Sequence, residues 1–196
     1  MKSVRFFALL TLIAFTGFAF TAVVNVAVDT GASQITWKGY KVTGEHAGTI
    51  GVKNGNFTYD GAALTGGSFE IDMTTITCTD LQGEYAGKLV GHLKSDDFFG
   101  VATYPTAKFE ITKVVSRGKA GDYKVTGNLT IKETTKEIKF NANVDDSTGV
   151  PVATADITID RSDFNVRYGS GSFFDNLGDK TIYDEFDLSL KLVGTK

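Results

Sequence analysis

The chain holds a single cysteine, Cys78, in 196 residues, so no disulfide closes within it. Stability has to come from packing and backbone hydrogen bonding, and a lone unactivated thiol reads as a small apolar side chain. Histidine is almost as scarce. His46 and His92 are the only two, and they form neither a His-x-x-x-His pair nor part of a cysteine cluster. A zinc site takes at least three protein ligands, so the expectation is no metal and no cofactor. Basic runs are missing as well, and a net charge of −3 offers no electrostatic footprint for nucleic acid and no polybasic patch for an anionic membrane. No Gly-x-Ser-x-Gly elbow or phosphate-binding glycine loop is present. The acidic pairs Asp96-Asp97 and Asp145-Asp146 sit beside turn residues and read as caps. With no catalytic residues in view, the chain is expected not to be an enzyme.

What is present begins with a compartment signal. Lys2 and Arg5 precede an apolar run from Phe6 to Phe15, and small residues at Gly17 and Ala19 stand two apart, as a signal peptidase requires. A retained anchor would need about 20 apolar residues, a length reached here only by counting threonines and glycine. The expectation is a cleaved signal peptide over residues 1–19, a periplasmic or secreted protein, and no integral membrane span in the mature chain.

After Asp29 the residues alternate with period two, the mark of strands with one apolar and one wet face. Ile35 and Trp37 point one way. Phe69 and Ile71, then Phe109 and Ile111, Leu129, Phe140 and Phe186 occupy the same kind of position in later segments, and Ile50, Val52 and Phe57 fall in another. Asn54-Gly55 and Asp60-Gly61 have the chemistry of tight hairpin turns. Eight or nine meandering antiparallel strands follow. Periodicity leaves two closures open, a packed sandwich or a barrel of about eight strands that removes the sheet edges and holds one small ligand.

One segment is helical. Leu81, Tyr85, Leu89 and Leu93 recur every four residues, with Thr79 and Gln82 resembling a capping box and Asp80 as a second N-cap candidate. Gly83, Gly87 and Gly91 run beside that stripe. Each weakens a helix interior by about 1 kcal/mol against alanine, so they predict a helix pressed closely on the sheet or across a barrel mouth. The two histidines are then expected to be hydrogen-bonded groups fixing helix to sheet. Arg161, flanked by Ile157, Ile159 and Phe164, predicts a partly buried ion pair with Asp163 or Glu185, with a contact to a ligand head group as the alternative. The glycine-rich loop at 169–179, carrying Phe173 and Phe174, is the candidate for a mobile gate.

Several pieces, taken in order, carry a resemblance: residues 37–50 (WKGYKVTGEHAGTI), 91–100 (GHLKSDDFFG), 104–111 (YPTAKFEI), 127–130 (GNLT) and 161–164 (RSDF). Across residues 29–193 the chain resembles the YceI-like family of bacterial periplasmic proteins. That resemblance implies an all-β, lipocalin-like antiparallel barrel with one short helix packed on it, binding a polyisoprenoid or another long-chain amphiphile. The chain departs from the family pattern at Ala32-Ser33, where His-Ser is common, and at Lys132-Glu133, where the turn usually has a glycine. The candidate lipid-lining residues are Ile35, Trp37, Ile50, Val52, Phe57, Phe69, Ile71, Phe109, Ile111, Leu129, Phe140 and Phe186, with His46, His92 and Arg161 as polar or head-group candidates. A homodimer stays open beside a monomer. The competing reading is a secreted stress-response or interaction domain with a filled core and no ligand.

Overall fold

The computed structural model describes residues 22–196; the expected signal peptide lies outside them. Eight antiparallel strands close into a barrel in simple sequence order. They are β1 (Val23–Lys41), β2 (Gly44–Asp60), β3 (Ala63–Asp72), β4 (Thr106–Ser116), β5 (Asp122–Ile131), β6 (Thr134–Asp145), β7 (Val152–Asp160) and β8 (Ile182–Gly194), with one helix, α1 (Gly83–Lys94), between β3 and β4. Because successive residues face opposite sides of a strand, the alternating pattern turns one apolar face inward around the whole circuit. The barrel is therefore the closure that the sequence pattern alone left open against a sandwich. Among the described residues no helix is long and apolar enough to cross a membrane.

Local chemistry explains the corners. Gly61, at φ 60°, turns β2 into β3, where Asp60 faces Ala63, as the Asp-Gly pair predicts. Asn54-Gly55 does something else. Both residues lie inside β2, and the ladder to β3 steps from Val52 opposite Ile71 to Asn54 opposite Glu70, leaving Lys53 as an extra residue. That is a β-bulge, which re-aims the strand. It changes the inward parity from Ile50 and Val52 to Phe57 and Tyr59, which are 2% and 8% exposed. Glycine is used here for close approach: a Cβ on Gly55 would lie 2.7 Å from the Phe69 ring. Lys132, at φ 56°, occupies the left-handed corner between Ile131 and Thr134, so the turn survives without the glycine usual in the family.

The helix differs from its sequence reading in two ways. It starts at Gly83, and its N-cap Gln82 makes no side-chain cap bond. Thr79 and Asp80 are instead drawn to β2: the Thr79 N–H donates to the Ala47 carbonyl, and the Asp80 carboxylate accepts from the Ala47 N–H. This segment covers the part of the β2 edge that β3 does not reach. The glycine ridge also faces outward. A Cβ on Gly83, Gly87 or Gly91 would meet nothing within 4 Å, so no close helix–sheet packing calls for these glycines. Of the expected stripe, Leu89 and Leu93 turn to the barrel interior, while Tyr85 is 74% exposed.

One junction in the wall is short. β6 and β7 pair only at Asn143–Thr154, Val144–Ala153 and Asp145–Val152, although both strands run on toward the helix end.

Candidate functional site

Buried clusters lie toward both ends of the barrel, and the one at the helix end surrounds a cavity. Val28, Val52, Tyr59, Leu64 and Val144 belong to a buried cluster at the end where β2 turns into β3. There burial, with Asp146 and Tyr123 adding to it, pushes the Tyr59 hydroxyl up to about 12. Toward the helix the interior opens into a cavity of about 360 Å³, within the range of about 300–1,000 Å³ usual for small-molecule sites. Phe109, Phe140 and Phe186 line it and are only partly buried, whereas Phe57 and Phe69 deeper in are 2% and 5% exposed. Inward aromatics that keep accessible surface in a closed barrel mark space that side chains do not fill.

Of the twelve apolar residues singled out from the sequence, eleven line this cavity. Val52 does not: it is packed into the closed-end cluster, just before the bulge. Trp37 lines the cavity with its Nε1 donating to the Thr77 carbonyl at 3.1 Å, so its ring plane is held. Sequence reasoning missed Ile138, Ile157 and Leu188, although each continues an alternation already visible. It also missed Phe98 and Phe99, which come from the turn after α1, where no period points inward. The turn in which the Phe98 and Gly100 N–H groups donate to the Ser95 carbonyl, with left-handed Gly100 at φ 57°, folds that segment back so that Phe98 is 6% exposed.

Three polar candidates stand at the helix end of the cavity, with different commitments. Arg161 is 2% exposed. Its guanidinium donates to the carbonyls of Val166 at 2.7 Å, Ile182 at 2.9 Å and Tyr183 at 3.2 Å. Its ionic partner is Asp184, at 3.2 Å, and neither Asp163 nor Glu185 takes that role; Asp163 lies 3.5 Å from Lys136 instead. Burial lowers the Arg161 pKa, and the charges of Asp184 and Asp160 oppose that. The rigid five-donor fork suits this convergence of carbonyls, making Arg161 the tie between β7, the following turn and β8.

His46 is also committed, with Nδ1 2.8 Å from the Asp80 carboxylate. Burial of Asp80 disfavours its charge, but hydrogen bonds from Ala47, His46 and Cys78 outweigh that and hold its carboxyl down at about 2. His92 is different. Its ring packs edge-on against Tyr168 at 4.3 Å and Phe98 at 5.7 Å, and its Nε2 is buried with no hydrogen-bond partner. The expectation of two hydrogen-bonded histidines therefore holds for His46 alone. Among the described residues no cluster of three His, Cys, Asp or Glu is gathered that could hold a metal ion.

The glycine-rich loop does not reach the cavity. Phe173 and Phe174 are 38% and 50% exposed, and no residue of 169–179 lines the cavity. The Phe173 ring lies 4.8 Å from the Arg167 guanidinium. Ser170, fully buried, and the bond from Ser172 to Asp184 anchor the loop to the Arg161 network.

A family model described as a YceI-like domain matches residues 27–194. A UPF0312 protein of Pseudomonas putida is 31% identical over 156 residues, covering 76% of this chain and 73% of that protein. One from Shewanella denitrificans is 33% identical over 90 residues, so the match spans 44% of that relative's length. Among solved structures, BcnA of Burkholderia cenocepacia aligns with a TM-score of 0.67 at 24% identity, over 86% of this chain and 99% of its own. A polyisoprenoid binding domain from Saccharophagus degradans aligns with a TM-score of 0.65 at 16% identity, over 89% and 98%. At such identities these two establish the shared fold.

Proposed function

This chain belongs to the YceI-like family, and on that premise we propose that it binds a long-chain isoprenoid or similar amphiphilic lipid inside the barrel, without catalysis. The observation that carries the proposal is the hollow helix-end interior, whose lining is nearly all apolar. Burying each CH₂ contributes roughly 0.8 kcal/mol, so about fifteen carbons supply on the order of 10 kcal/mol before the cost of immobilising the chain. A filled core would leave the inward aromatics fully buried, and the partial exposure of Phe109, Phe140 and Phe186 favours the carrier over the ligand-free alternative. A related solved domain of the same fold is described as polyisoprenoid binding.

In this reading Trp37, Phe109, Phe140 and Phe186 contact the chain. His92 meets the polar end of the ligand, since Arg161 and His46 already spend their hydrogen bonds on the protein while His92 Nε2 has a bond to give. The signal-peptide pattern of residues 1–19 supports a place beyond the cytoplasmic membrane, where a carrier would shield an apolar chain from water. Titration with a polyisoprenoid alcohol, followed by Trp37 emission, tests the proposal: a saturable change supports it, and no response to isoprenoid or long-chain amide ligands counts against it.

A further inference from the structure

The short β6–β7 junction coincides with a second pocket. Below the three paired positions the strands part, leaving residues 134–142 and 155–160 with no ladder between them. At the fork lies a pocket of about 280 Å³ lined by Asn141, Ala142 and Asn143 of β6 and Thr154, Ala155 and Asp156 of β7. Side chains of neighbouring residues on one strand face opposite sides of a sheet, and here inward-facing Ala142 and Ala155 line the pocket together with their outward-facing neighbours, so the fork brings both faces of the wall to one place. Its inner members agree. Ala142, Ala155 and Leu190 line both this pocket and the main cavity, and the two alanines leave the fork without bulk to plug it. The outer rim is polar, with Arg117, Asp122, Asn141 and Asp156. Nearer the helix β6 is linked from outside to the 3₁₀ turn that follows β7, residues 161–164, by the Lys136–Asp163 ion pair, between side chains 47% and 58% exposed. Exposed pairs of this kind contribute little and yield readily.

We propose that the β6–β7 seam is a lateral opening of the ligand cavity, through which an apolar chain enters between the strands rather than past α1. The proposal rests on the lipid-binding reading. Passage here breaks no backbone ladder, since none joins the parted segments, and what has to yield is the exposed ion pair and the contact of the turn at 161–164 with β6. Elsewhere around the barrel each wall is laddered over a longer stretch.

The test places a removable block at the seam. In the full chain with Cys78→Ser, a cysteine is introduced by Asn141→Cys and capped with a bulky methanethiosulfonate reagent that a reductant removes. Farnesol association is followed by stopped-flow Trp37 emission. The seam predicts that the cap slows association about tenfold or more, within the span by which on-rates differ among related complexes, and that reductant restores it. The same cap on Tyr85→Cys, on the exposed side of α1, is expected to leave the rate unchanged. Unslowed entry with the Asn141 cap in place, or slowing only with the Tyr85 cap, overturns the opening. A silent Trp37 in the uncapped proteins would count against lipid binding itself, and hydrogen exchange then decides the seam alone. Alternate amides of residues 134–142, those pointing away from β5, should exchange much faster than their counterparts at 143–145. Equal protection along β6 contradicts an open seam.

Discussion

The Trp37 indole lies against Gly48 on the neighbouring strand, so closely that a Cβ at Gly48 would stand 2.7 Å from the ring and 1.9 Å from the Thr77 carbonyl. That carbonyl accepts the indole N–H. One glycine thus lets the tryptophan and the strand-covering segment 77–80 share a site. Gly48→Ala is expected to destabilise the protein by about 1–3 kcal/mol, the usual cost of overpacking, and to change Trp37 emission in the absence of ligand. Thermal unfolding together with an emission spectrum checks both; an unaltered spectrum at wild-type stability would refute the close packing.

Gly87 should behave in the opposite way. Nothing lies within 4 Å of a Cβ there, and it sits in the interior of α1. Gly87→Ala should therefore raise stability by up to about 1 kcal/mol through helix propensity, seen as a higher midpoint in urea. A lower midpoint would show that the outer face of α1 packs on something.

Those two glycines show what could be read from the sequence and what could not. Period-two alternation is a property of each strand taken alone, so the strands and eleven of the twelve inward positions that line the cavity were legible, while their closure into a barrel came only from the family resemblance. The role of a glycine depends on what lies opposite it, which alternation does not contain. Asn54-Gly55 has the local chemistry of a hairpin, yet β3 pairs across it and makes it a bulge. Arg161 was legible as a buried charge, but its partner Asp184 lies across the β7–β8 corner rather than beside it in sequence. Phe98 and Phe99 enter the site through a turn with no periodic signal, and the parting of β6 from β7 leaves no mark on either strand's pattern.

Arg161→Met should be severely destabilising, by about 3–5 kcal/mol, because it leaves the partly buried Asp184 carboxylate without its ionic partner and strands three carbonyls. Arg161→Lys should recover little, since an ammonium does not reach several fixed acceptors in one plane. Chemical denaturation of the two variants reads the difference; wild-type stability for Arg161→Met would show that the network is dispensable.

Asp80 predicts the response to acid. Its carboxyl sits at about 2 in the folded protein against an ordinary 3.8, so the unfolded chain takes up the proton first as pH falls. The stability that Asp80 contributes is complete above about pH 4 and is lost as pH drops toward 2. Asp80→Asn should flatten the pH dependence of the unfolding midpoint across that window and lower stability at neutral pH. An unchanged slope would mean that the contacts with Ala47 and His46 do not favour the charged form.

The central claim is that the hollow interior holds a lipid chain. Native mass spectrometry of the purified protein, followed by organic extraction and identification of what is released, tests it most directly. The account predicts a population heavier than the polypeptide by the mass of one long-chain isoprenoid or amphiphile, converted to the bare mass by extraction. A uniformly bare polypeptide that also takes up no such ligand when it is supplied would contradict it.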